Sequence, residues 1–400
     1  MRSRRESDRA GIPRVHAAAR GIRLRKDGQL SNKDETSSRI DALRFPLILG
    51  VAFIHGASVL HTSQGSVDVM RTNIAWVDFI VNISQYIADV STPLFFAISG
   101  YLFFWGGWSR EKYAGKLKRR FHTLLIPYLF WSLAIFAVLA VAESIPQTKT
   151  YFADATWPAI HSLSFFGAIN TLLGITGIYP LLHPFWFIRD LMALVVLAPA
   201  IHFLVHNKWG KLFLIAIFCI WYAVMWPLMA WPVPWPGAVA ICFFCLGAYL
   251  SQQKEGFAYL DRIGPWASLL FLAGAILNYA FPSSLAHVNH ALIITAGAAS
   301  LWWMIGLIIR SAALKAFLAG LSGDVFFVFA THQPLMAVVR KIAYKLFSPT
   351  SGAAILTLYF LIPICLVALL VALSRCLLKI MPSFIGFITG NPYRTYKQRA

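Results

Sequence analysis

Asp41-Ala-Leu-Arg44-Phe-Pro-Leu-Ile-Leu-Gly-Val-Ala-Phe-Ile-His55-Gly-Ala-Ser58 is an apolar run of membrane-helix length that nevertheless carries a guanidinium at its start and an imidazole well inside. A bilayer core of roughly 30 Å takes about 20 such residues. The first span predicted from this stretch is 42-61. Comparable runs recur at 86-105, 122-143, 185-206, 211-230, 236-251, 265-281, 290-309, 317-340 and 353-378, with 236-251 the shortest. The 400-residue chain is 58% hydrophobic and only 13% charged, which excludes a soluble globular class. The fold class expected is all-α: a polytopic integral membrane helical bundle of about ten transmembrane helices.

Orientation follows from the basic residues, because cytoplasmic flanks hold Lys and Arg back during insertion. The N-terminal stretch, the 106-120 loop, the 207-211 turn, the 251-264 loop and the 310-316 turn are basic, whereas 144-184, 231-235 and 282-289 carry only Lys149. The alternation predicts both termini inside. One loop dissents, since Arg340, Lys341 and Lys345 follow the ninth span and would lie outside. The domains expected are a basic, disordered cytoplasmic tail over 1-38, a transmembrane domain over 39-380, and a basic cytoplasmic C-terminal tail over 381-400. The +19 net charge is topological and suits anionic headgroups of the membrane lipid. No nucleic-acid motif accompanies it. Cys219, Cys242, Cys245, Cys365 and Cys376 all lie in or at the ends of apolar runs. The Cys242/Cys245 spacing has no further ligands nearby, so no metal site is expected.

Titratable groups within lipid are costly and normally face a protein-lined cavity. Eleven residues separate Arg44 from His55, three helical turns plus about 20°, so both share one face about 16 Å apart, with Leu47, Ile48 and Val51 between them. Pro46 is expected in the first turn, where a missing backbone donor is tolerated. Arg44 also fits a snorkelling interfacial arginine, and His55 also fits a partner for a neighbouring helix. The second span contains Ser99-Gly100, which reads either as a packing notch or as a substrate contact. The cluster Lys116-Leu-Lys118-Arg119-Arg120 reads either as an insertion signal or as a phosphate-holding mouth. Arg189-Asp190 reads as a sugar-binding pair or a neutralised structural pair. His332 lines the same cavity or belongs to a packing feature at Pro334.

Five segments in register resemble the acyltransferase family 3 membrane proteins. They are Arg44-x10-His55, Phe95-Phe-Ala-Ile-Ser99-Gly-Tyr-Leu102, Arg119-Arg-Phe-His-Thr-Leu-Leu-Ile-Pro-Tyr128, Phe185-Trp186-Phe-Ile-Arg189-Asp190-Leu191 and Gly323-Asp-Val-Phe-Phe-Val-Phe-Ala-Thr-His332-Gln-Pro-Leu335. The resemblance covers about 38 to 378. It departs from the family pattern in having Phe-Ala-Thr-His where many members have Tyr-Leu-x-His.

The resemblance implies an integral O-acetyltransferase of the bacterial inner membrane. It would move acetyl from acetyl-CoA to a hydroxyl of an exopolysaccharide, a lipopolysaccharide or a related envelope glycan or lipid-linked sugar. Arg44 and His55 carry over as the essential pair, with His55 as the candidate base. Arg44, Arg119, Arg120 and Ser99 are the expected acetyl-CoA contacts, and Trp186, Arg189, Asp190 and His332 the expected acceptor contacts. The acceptor is expected to approach through 144-184, past Trp157, His161 and Phe165-Phe166. Two other readings stay open: the same family with a succinyl group, and a transporter or flippase, which also uses membrane-embedded His, Arg and Asp.

Overall fold

The computed structural model describes residues 32–62, 65–146, 158–176, 179–229, 235–282 and 286–391. The expected N-terminal tail up to 31, Lys149, Trp157 and the tail from 392 onward lie outside the described residues. Every predicted span is helical. In chain order the helices are α1 (Asn32–Ala57), α2 (Ala75–Asp89), α3 (Ser91–Phe104), α4 (Arg110–Arg120), α5 (Ile126–Ser144), α6 (Phe165–Leu173), α7 (Trp186–Val196) and α8 (Ala198–Val205). They continue with α9 (Gly210–Met229), α10 (Ala238–Leu250), α11 (Tyr259–Ala280), α12 (Ala286–Ile308), α13 (Ala312–Leu321), α14 (Val325–Phe347), α15 (Gly352–Ile380) and α16 (Pro382–Ile388). A three-residue ribbon pairs Leu60–Thr62 with Gly65–Val67. Among the described residues seven helices are long and apolar enough to cross a membrane, eight if the bent pair α7–α8 is one span, and α9 and α10 are shorter apolar helices. Side chains such as Leu133, Val141, Leu269, Leu270 and Leu369 are more than half exposed on the outside of the bundle, as lipid-facing residues should be.

Four boundaries differ from expectation. Helix α1 begins at Asn32, well before 42, because Arg39 ties its first turns to the start of α11: Arg39 Nη1 meets Asp261 at 2.6 Å and Nη2 meets Glu35 at 2.6 Å. Pro46 consequently sits in the body of an unbroken helix and not in its first turn. The second span extends back to Ala75, with α2 and α3 forming one 30-residue apolar segment. The fourth is bent by 67° at Leu197, where Pro199 in the first turn of α8 cannot continue the α7 bonding.

The ninth span starts at Val325, since Ser322-Gly323-Asp324 interrupts the helix. Asp324 there accepts from Ser374 Oγ (2.8 Å) and Arg375 Nε (3.0 Å) of α15. The segment after α15 also differs from a plain tail, because α16 packs on α5, where Trp131 Nε1 donates to the Ile388 carbonyl at 2.9 Å.

The basic segments gather at one end of the bundle. Arg39 joins the starts of α1 and α11, Gly390 lies against the backbone of Thr123, and Arg375 meets Asp324. At the opposite end Tyr279 Oη donates to Ala75 O at 3.4 Å and Gly352 packs on Trp76. The dissenting Arg340 is not a loop charge. It is buried in α14 and donates from Nη1 to the His55 carbonyl at 3.3 Å, fastening the C-terminal end of α1.

Two glycines set a backbone-to-backbone helix contact. A Cβ at Gly100 of α3 would run into the Phe244 carbonyl of α10, and a Cβ at Gly247 of α10 would run into the Ala97 carbonyl of α3. Small residues allow this backbone approach in lipid, where shape and not hydrophobicity drives helix association.

Candidate active site

A cavity of about 1650 Å³ lies within the bundle. Arg44, Ile48, Val51 and His55 line it along one face of α1, so the guanidinium and the imidazole look into a common space. Leu47, expected on that face, is instead fully buried in the core. Arg44 pairs with Asp41 at 3.3 Å, and both side chains keep about a third of their surface exposed.

One mouth of the cavity is cationic. Lys116, Arg119 and Arg120 line it with Arg44. They are delivered by α4, whose N-terminus is capped by Ser109 accepting from Lys112 N, and by a π-helical turn over Phe121–Leu125 that joins α4 to α5. Such a turn re-aims side chains within a helix and recurs at functional sites. Thr123 of that turn, Ser99 of α3 and Asn391 after α16 complete the rim. The packing notch is Gly100, which meets the α10 backbone, while the neighbouring Ser99 borders the cavity.

His55 sits between two other imidazoles. Its ring centroid lies 5.3 Å from His332 of α14 and 5.4 Å from His183. His332 is fully buried, and its Nδ1 lies 3.0 Å from Val328 O and 2.9 Å from Phe329 O. Both partners are carbonyls that can only accept, so Nδ1 carries the hydrogen and Nε2 the lone pair. That buried Nε2 has no hydrogen-bond partner among the described residues. His332 thus stands behind His55 rather than on the cavity wall. His183 lies on the wall, in the 3-10 turn His183–Phe185 that opens α7, with Tyr179 stacked on it at 3.8 Å.

Trp186, Arg189 and Asp190 also border the cavity. Trp186 packs near Phe96, ring centroids 5.9 Å apart. Arg189 donates to Asp190 Oδ1 from Nε (3.1 Å) and Nη2 (3.0 Å) and to Gly174 O from Nη1 (2.7 Å), while Asp190 Oδ2 accepts from Gly237 N at 2.8 Å. These bonds fit the neutralised structural pair, which pins the loops around 174 and 237 to the start of α7. His161 meets Glu143 and Ser144, and Phe165 and Phe166 point outward from α6; none of the three lines the cavity.

Sequence reasoning missed His183, Asp89, His290 and the role of Arg340. Asp89 carried a usable signal, being a carboxylate inside a predicted span. His290 stood at the first position of another.

The acyltransferase family 3 model, described as an acyltransferase domain, matches residues 37–374. The chain belongs to acyltransferase family 3. As a member of that family it is a multi-pass membrane acyltransferase, and the matched region takes in α1 with its Arg44 and His55, the cationic mouth and the His332 helix. It is also similar to the succinoglycan biosynthesis protein ExoH of Rhizobium meliloti (strain 1021), 28% identical over 371 residues covering 89% of this chain and 92% of that protein. No solved structure matches the chain significantly.

Proposed function

We propose that this acyltransferase takes acetyl from acetyl-CoA bound at the cytosolic mouth and transfers it to a hydroxyl of an envelope polysaccharide, in the bacterial inner membrane. The observation that carries the reading is that Arg44, Arg119 and Arg120 line the same cavity as His55. The similarity to a protein of succinoglycan biosynthesis supports a polysaccharide acceptor.

Guanidinium groups hold phosphates through paired, charge-assisted hydrogen bonds. With the phosphates of the donor at the mouth, its flexible arm extends toward His55, roughly 16 Å away along α1. His55 takes the proton of the attacking hydroxyl as the oxygen forms its bond to the acyl carbon. The carbon–sulfur bond then breaks and the thiol of CoA leaves, collecting that proton. His332, fixed with its lone pair on Nε2, is a positioning residue: accepting an N–H from His55 would leave the other His55 nitrogen free as the base.

The test is transfer of label from radiolabelled acetyl-CoA to polysaccharide by the purified full-length protein, with succinyl-CoA in parallel. Acetyl on the polysaccharide is expected. Label moving only from succinyl-CoA, or from neither donor, overturns the acetyl assignment.

Two further outcomes are expected. The double variant Arg119→Ala/Arg120→Ala raises the KM for acetyl-CoA by about tenfold at low salt, and by less at high salt, because mouth charges are screened. His332→Gln lowers kcat by about tenfold or more while donor KM stays constant, and it moves the pH profile of kcat. A donor KM that rises in step with the kcat loss, or an unmoved pH profile, would assign His332 to packing alone.

A further inference from the structure

The cavity exceeds the roughly 300–1,000 Å³ usual for a single small-molecule site, so it has room for two substrates. Its wall opposite the cationic mouth carries a second polar cluster, contributed by three helices. Tyr86 and Asp89 come from α2, Asn278 from α11 and His290 from α12, and all four line the cavity. His290 Nε2 lies 3.0 Å from Asp89 Oδ2. Asn278 Nδ2 donates to Tyr86 Oη at 2.6 Å, and Asn289 Nδ2 donates to Asn278 Oδ1 at 3.1 Å. The rings of Tyr86 and His290 lie 5.5 Å apart.

The charge of this wall is opposite to that of the mouth. Asp89 and Asp190 are the acids among the lining residues; the Asp190 side chain is 2% exposed and bound by Arg189 and Gly237, whereas that of Asp89 is 33% exposed. The Asp89 carboxylate, paired on one oxygen with His290 and still a third exposed, repels the anionic donor and any acidic group on the acceptor. The hydrogen-bonding groups beside it suit a neutral polyol. A sugar hydroxyl both donates and accepts, and the cluster offers a carboxylate acceptor, an imidazole, an amide and a phenol, with an aromatic face beside them.

Placement agrees with an external entry. Asn278 lies two residues from the end of α11 and His290 four residues into α12, at the outer lip of that hairpin. Gln85, one turn from Asp89, donates to Phe53 O at 3.1 Å, so Asp89 and His55 face the cavity from adjacent helices.

We infer that Tyr86, Asp89, Asn278 and His290 form the subsite that binds a neutral, hydroxyl-rich sugar residue of the acceptor and presents its hydroxyl to His55. The inference rests on the acyltransferase reading above. The Asp89–His290 pair holds one hydroxyl, and Asn278, steered by Asn289 and Tyr86, holds its neighbour.

The experiment uses the full-length protein in lipid nanodiscs, acetyl-CoA as donor, and oligosaccharides cut from the unacylated polysaccharide of a strain lacking the gene. Asp89→Asn preserves shape and removes charge, and Asn278→Ala removes the amide. Each is expected to raise the KM for oligosaccharide by about tenfold or more, the loss of a hydrogen bond involving a charged or buried group, while the KM for acetyl-CoA stays within about twofold. Unchanged oligosaccharide KM in both variants overturns the subsite, as does a donor KM that rises equally. Failure of the underlying reading looks different, because then the wild-type protein itself transfers no acetyl to the oligosaccharide.

Discussion

His55→Ala is expected to leave a folded protein that acylates polysaccharide at least about 100-fold more slowly than wild type. A positioned general base contributes roughly 10²–10⁴ in rate. His55 is partly open to the cavity and its backbone carbonyl, not its side chain, receives Arg340, so truncation removes the base without cutting the bond that fastens α1. The measurement is acyl content per sugar in the envelope polysaccharide of a deletion strain carrying the variant, with polysaccharide export followed separately. Loss of acyl groups with export intact fits the chemistry proposed. Export that stops while acyl content per sugar stays constant would assign the cavity to transport.

The second large effect concerns folding. Gly247→Leu is expected to yield almost no monodisperse protein after detergent extraction, and Gly100→Leu likewise. Overpacking a core usually costs about 1–3 kcal/mol, because neighbouring side chains shift aside. Here the obstacles are backbone carbonyls, that of Ala97 facing Gly247 and that of Phe244 facing Gly100, so the helices themselves must separate. Against a total stability of about 5–15 kcal/mol that is a large fraction. Gly320, whose Cβ would meet nothing nearby, provides the comparison: Gly320→Ala should extract and melt like wild type. A normal melting temperature for Gly247→Leu would overturn the close contact.

Much of this was legible in the sequence, for definite reasons. Hydrophobic run length is a one-dimensional property, so all ten predicted segments are helical, and the three-turn spacing of Arg44 and His55 was enough to put them on one face. The interruptions were harder to read. The kink at Leu197 follows from Pro199 and the break at Ser322-Gly323-Asp324 from where Asp324 meets α15, and an apolar average across each segment hides both. The three-histidine arrangement was illegible because His183, His332 and His55 come from elements brought together only by packing. Arg340 looked like an exception to the charge alternation for the same reason: its partner, the His55 carbonyl, lies 285 residues away in the chain.

The glycine contact between α3 and α10 has a mechanical corollary. Two helices touching backbone to backbone cannot slide or tilt against each other without breaking that seam, so they form a stiff beam on one flank of the cavity. Any breathing that admits a bulky thioester then falls to the rest of the rim: the π turn at Phe121–Leu125, the α4 segment before it and the α16 end whose Gly390 lies on Thr123.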